Sequence, residues 1–317
     1  MRTSPTLWTR LWLLAALFLC LLQPVLAHKV CIVSSDKTPA LQEAVDSVSQ
    51  ELQRGGLARQ DLQILSASEF LDATNHAQDS HLIVTLGTEA LRQVLSQSGR
   101  IPVLAGLLPR LSFERVLAES GRKGQGNIAA LYLDQPFGRQ LDLLRLALPQ
   151  VRRVGVLWGP ESISQQSLLT TAASQHGMEL VEGVYTDEQA LIGALRSALN
   201  GADVLLAVAD AAVYNRASVS NILLTSYRGK TPVMAFSPAY VKAGALLSLH
   251  STASQAGLRL AALAQHALQS GSLPTSQYPS DFSISVNEYV AHSLGLNLDA
   301  QDLNERLHRQ EKQEKKP

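Results

Sequence analysis

The feature that most constrains this chain is an alternation, run through twice, of short β-branched apolar runs and longer amphipathic stretches. Residues 29–34 (KVCIVS) read as a buried strand, after which Leu41, Val45, Val48 and Leu52 recur at helical spacing until Gly55-Gly56 stops them. Residues 62–65 and 81–86 are the next strands. Ala90, Leu91, Val94 and Leu95 mark the following helix, residues 101–105 form another strand, and a weaker helix covers 112–120. After a glycine-rich break at 121–126 the pattern restarts. Strands at 127–133, 153–158, 179–185, 203–209 and 232–236 alternate with helices at 137–148, 162–176, 188–199 and 212–227. Such alternation implies crossovers around a mainly parallel sheet, and two rounds of about 100 residues predict an α/β protein of two doubly wound parallel-sheet lobes. The run at 305–317 is almost wholly polar and is expected to be a frayed, solvated tail.

In open parallel sheets, ligands sit beyond the carboxyl ends of the strands, where helix N-termini offer unpaired N–H groups. Those ends here read Ser34-Ser35-Asp36, Gly87-Thr88-Glu89, Gly106-Leu107-Leu108, Gly159-Pro160-Glu161-Ser162, Asp210 and Ser237-Pro238. Small and hydroxyl residues let a ligand approach the backbone, yet Ser, Thr and Asp are also ordinary helix caps. Trp158 ends a strand and is either core or a ring for stacking on a ligand. Tyr214 and Tyr240 are weaker candidates of that kind.

The beginning of the chain follows a different rule. Arg2 and Arg10 precede an apolar run from Leu11 to Leu22, and Val25-Leu26-Ala27 closes the segment. That is the plan of a cleaved signal peptide, too short in its apolar part to span a bilayer. Residues 1–27 are therefore expected to be removed, leaving an exported, periplasmic protein; Cys20 lacks the small residue before it that lipid anchoring needs. The chain carries 27 basic and 27 acidic residues, and without Arg2 and Arg10 the balance is 25 to 27, a formal charge of −2. No basic stripe is left to grip nucleic acid or an anionic membrane. Cys31 would then stand alone inside a strand, an inert buried thiol.

Several segments together resemble one family. QPFGRQLDLLRLALPQVRRVGVLWGPES (135–162), IVTLGTEAL (83–91), TPVMAFSPAYVKAGALLSLHST (231–252) and SDFSISVNEYVAHSLGLNL (280–298) are similar, in that order, to the ABC-transporter substrate-binding proteins of tryptophan and tyrosine type. The resemblance implies a type I periplasmic-binding fold whose lobes are joined by a three-crossing hinge, near residues 131–135, 248–250 and 282–286. Lobe one would comprise 28–132 plus 250–281, and lobe two 133–249 plus 282–304. The turn Gly106-Leu107-Leu108-Pro109 departs from the family's polar run, and Asp210-Ala211-Ala212 departs from its polar or proline-containing turn. An amino-acid ligand would set its carboxylate on Ser35, Thr88 and backbone N–H groups and its ammonium on Asp210. A wall of Leu107 and Leu108 suits a less polar ligand equally.

Catalytic signatures are absent from the sequence: no Gly-x-Ser-x-Gly, no phosphate loop, no His-Glu-x-x-His and no Cys-x-x-Cys. His76, Asp79 and His81 straddle a strand start and read as surface groups, and His28 lacks a second facing histidine for copper. The expected ligand contacts are Ser35, Asp36, Gly87, Thr88 and Leu107 from one lobe, Trp158, Asp210 and Ser237 from the other, and His250 at a crossing. No cofactor or metal is expected. The anticipated function is capture of a small molecule, an amino acid or small aromatic, between lobes that close on it, in a monomer read by an ABC permease. A receptor reporting to a membrane sensor and an exported α/β enzyme are the rival readings.

Overall fold

A computed structural model describes residues 29–72, 79–97, 99–187 and 189–314. The signal-peptide reading falls on residues outside that range. Among the described residues no helix is long and apolar enough to cross a membrane.

The first sheet contains β1 (Val30–Ser34), β2 (Leu62–Ser66), β3 (Leu82–Leu86), β4 (Val103–Leu108) and β5 (Ile128–Tyr132), all parallel, in the order β2-β1-β3-β4-β5. The second contains β6 (Arg153–Trp158), β7 (Glu179–Val184), β8 (Val204–Leu206), β9 (Val233–Ala235), β10 (Leu247–His250) and β11 (Ser283–Val286). Its order is β11-β10-β9-β8-β6-β7, with β11 alone antiparallel. Leaving β11 aside, the two sheets have the same winding plan, which reverses beside β1 and beside β6. Strand runs such as VCIVS and LIVTL are apolar throughout because helices cover both faces.

Each sheet sits between two apolar layers. In the first lobe, Ile32, Val84 and Leu104 face the helices Pro39–Arg54 and Ala253–Ser270, while Cys31, Val33 and Ile83 face the helices Thr88–Gln97 and Arg110–Glu119. Burial pushes the Cys31 thiol up to about 12, which keeps it protonated and unreactive. In the second lobe Gly183 on β7 lies under the helix Leu191–Leu199; a Cβ there would stand 1.9 Å from the carbonyl oxygen of Ala194. Glycine is thus required for that helix to lie close on the sheet.

The chain passes between the sheets three times: from β5 to the helix Phe137–Ala147, from β10 to Ala253–Ser270, and from the β5-edge contact Leu131–Gln277 to β11. One hydrogen-bonded network joins these passages. Gln135 Nε2 donates to Ser251 Oγ at 3.0 Å, and Ser251 Oγ donates to the carbonyl of Asp281 at 2.7 Å. Arg139 Nη1 donates to Gln135 Oε1 at 2.7 Å and to the carbonyl of Pro279 at 2.8 Å.

Two expectations need correction. Residues 305–317 are not a frayed tail as far as they are described. Ala300–Glu314 is a helix whose Leu303 and Leu307 are buried four residues apart, His308 stacks on Phe282 at 4.0 Å, and Glu311 pairs with Arg139. Two apolar anchors and one well-placed ion pair suffice to dock a sequence whose average polarity suggests solvent. The helix expected at 212–227 begins only at Val219, because Asp210, Asn215 and Ser218 bond nearby N–H groups and hold 211–218 in turns.

Candidate solute-binding cleft

Beyond β1, β3 and β4 the first lobe gathers three of its expected residues. Gly87, at φ 91°, follows β3, and its N–H donates to the carbonyl of Gly106. A Cβ at that position would lie 2.5 Å from Ser35 Oγ, so glycine allows the serine to reach in. Ser35 Oγ accepts the Ala90 N–H at 2.9 Å and so caps the helix that Thr88 begins. Asp36 is exposed and accepts the Thr38 N–H at 2.7 Å, ahead of the next helix. Leu107 sits at φ 52° where the β4–β5 register shifts. A branched residue in the left-handed region costs about 1–2 kcal/mol, so the turn that departs from the family pattern is also strained.

In the second lobe, Asp210 is not a free anion. It is 3% exposed, and its Oδ2 accepts the N–H groups of Glu161 at 3.0 Å and Ser162 at 2.8 Å, while Oδ1 accepts that of Ala212 at 3.0 Å. A Cβ on Gly159 would come within 2.5 Å of Oδ2, so that glycine admits the carboxylate. Asp210 therefore ties the turn after β6 to the turn after β8 and has no oxygen left for a ligand ammonium. Asp210→Ala, which strands three N–H groups, is expected to cost about 2 kcal/mol; a urea unfolding curve measures it.

Trp158 likewise turns inward. It is 0% exposed, packs with Leu206, Val208, Leu249 and Phe282, and donates from Nε1 to Glu182 at 2.6 Å, so it presents no face for stacking on a ligand. Ser237 caps the short helix Pro238–Ala243 by accepting the Ala239 N–H. His250, at the end of β10, is buried with Nδ1 3.2 Å from Ser248 Oγ. Burial lowers its affinity for a proton below the ordinary 6.5. Stability from the neutral ring is thus present above 6.5 and lost as pH falls through the lower folded value. Tyr214 and Tyr240 pack against each other and against Phe236.

The lobes meet at two places that no expected residue occupies. At the outer edge, Arg115 on the helix after β4 pairs with Glu161 in the turn after β6. Both side chains are about one-third or more exposed, at 42% and 32%, so the pair is worth no more than about 1 kcal/mol and leaves the lobes free to part. At the base, beside the first passage, Asp134, Gln135, Phe137, Gln165, Phe236 and Tyr278 surround a cavity of about 30 Å3. Asp134 Oδ2 accepts the Arg110 N–H at 2.5 Å. Burial pushes this carboxyl above its ordinary range, against the pull of the Arg110 and Asp134 N–H groups and of the Arg110 charge. The Arg110 guanidinium itself is turned to Glu114 at 2.7 Å and the Tyr278 hydroxyl at 3.1 Å, contacts that hold it firmly protonated. Sequence reasoning passed over Asp134 because it follows β5 directly into a lobe passage, where no helix-start motif draws attention to it.

Two similarly wound lobes, joined by three passages and meeting where their strands end, make this a type I periplasmic-binding fold. The solved ligand-free, open form of CD0873, a substrate-binding protein with adhesive properties from Clostridium difficile, matches with a TM-score of 0.68 at 20% identity, covering 86% of this chain and 96% of that one. An ABC domain from Streptococcus pneumonia solved with L-Trp gives 0.60 at 15% identity, over 86% and 96%. A periplasmic ribose ABC transporter protein from Conexibacter woesei gives 0.54 at 15%, over 88% and 98%. The family model for ABC transporter substrate binding protein matches residues 29–306, and the chain belongs to that family. No curated protein matches it.

Proposed function

We propose that the protein is exported, captures a small solute between its lobes by closing on them, and presents the closed form to an ABC permease without altering the solute. The observation that carries this reading is the meeting of strand-end segments from both lobes, Arg115 against Glu161 at the rim and Asp134 against Phe236 at the base. A ligand that touches both sides favours the closed arrangement by the difference between its contacts in the two states. The weak rim pair alone supplies too little to hold the lobes shut, which suits a receptor that must open again. The family and the solved neighbours support the same role.

The test is a thermal-shift screen of the chain from residue 28 onward against amino acids, small amines and sugars, followed by small-angle scattering with any hit. A solute present at about 100 times its dissociation constant stabilises by about 2.7 kcal/mol, which raises the midpoint by several degrees. The expected result is stabilisation with a smaller radius of gyration and full recovery of the solute. Consumption of the solute would instead identify an enzyme.

A further inference from the structure

Resting on the receptor reading above, the base of the cleft says what kind of solute enters it. Asp134 lies at the inner end of the cavity, and the aromatic rings of Phe137, Phe236 and Tyr278 line its sides. The cavity of about 30 Å3 is the share of space of a single water molecule, which is also the size of an ammonium group. One carboxylate oxygen holds the Arg110 N–H. Among the described residues no lysine, arginine or histidine forms an ion pair with Asp134. Arg110, the cation close enough to matter, spends its guanidinium on Glu114 and Tyr278. A carboxylate sunk among rings without a counter-ion is costly to keep in a protein, and a ligand cation relieves that cost.

We propose that Asp134 is the counter-ion for an ammonium group on the solute, so that the protein selects primary amines with an apolar or aromatic body over polyols and over acids that lack an amine. The ammonium sits at the cavity base against Asp134, with the rings beside it, and the rest of the solute extends toward the rim formed by Arg115 and Glu161. This assigns to Asp134 the role that the sequence had suggested for Asp210, whose oxygens are engaged by Glu161, Ser162 and Ala212.

The test is isothermal titration of the wild type and of Asp134→Asn with two sets of probes. L-tryptophan, L-leucine and phenethylamine carry an amine; 3-phenylpropionate, D-ribose and myo-inositol do not. The expected result is binding confined to the amine set and weakened about 30-fold or more by the substitution, the range for removing one partner of a buried charge pair. Binding of an amine-free probe that the substitution leaves unchanged would overturn the ammonium assignment and leave the receptor standing. Binding by neither set would count against the receptor reading itself, and the assignment would fall with it. A ligand-free control completes the test. Asparagine keeps an acceptor for Arg110 and removes the buried charge, so the melting temperature of the variant should equal or exceed that of the wild type. A clear drop would show that Asp134 is there to hold the fold, and would overturn the proposal.

Discussion

Arg139→Ala is expected to lower the unfolding free energy by about 3–5 kcal/mol, the usual cost of removing one partner from a buried ion pair. The side chain is 6% exposed and serves four neighbours: Glu311 on the C-terminal helix, Gln135 and Pro279 at two lobe passages, and the Phe282 ring, whose centroid lies 4.7 Å from the guanidinium carbon. Alanine would strand the Glu311 carboxylate and the Pro279 carbonyl together. Lysine keeps the charge but cannot fork to several acceptors at once, so Arg139→Lys should recover only part of the loss. Urea unfolding of both variants checks the ranking, and equal stability of the alanine variant and the wild type would show that the network contributes nothing.

Trp158→Ala is expected to cost about 3–5 kcal/mol, the range for emptying a fully packed aromatic site. The indole fills the second-lobe core beside Phe282 and Leu249, and Glu182 would lose its Nε1 partner. For a unit of this size each kcal/mol moves the midpoint by about 2–4 °C, so calorimetry should show a fall of about 10 °C. Trp8 and Trp12 precede residue 28, which leaves Trp158 as the only tryptophan of the chain after that point. Its fluorescence should be blue-shifted while folded and should report unfolding directly.

Much of the fold was legible because strand and helix periods differ and each strand here is buried on both faces. KVCIVS and HLIVTL announce central parallel strands with no help from context, and β1 and β3 lie where those runs place them. The C-terminal helix was not legible, because its docking depends on Leu303, Leu307 and Glu311 meeting Phe282 and Arg139, partners far away in sequence. The cleft was legible in its position and not in its chemistry. Ser35, Gly87 and Thr88 do gather in one place, but helix capping and ligand holding call for the same residue types, and only the distances show Ser35 and Asp210 occupied by backbone N–H groups. Trp158 shows the same ambiguity from the apolar side, since a ring at the end of a strand can turn either way. Asp134 carries no local signature, and only the approach of Phe236 and Tyr278 distinguishes it.

The helix Ala253–Ser270 covers one face of the first sheet, with Leu260 against Gly106, although nearly the whole second lobe precedes it in the chain. During synthesis, β1–β5 must therefore wait with an oily flank bare until the ribosome has passed residue 270. Such a nascent chain is a natural client for a holdase, and neither half can be expressed as one uninterrupted gene fragment with its interior complete.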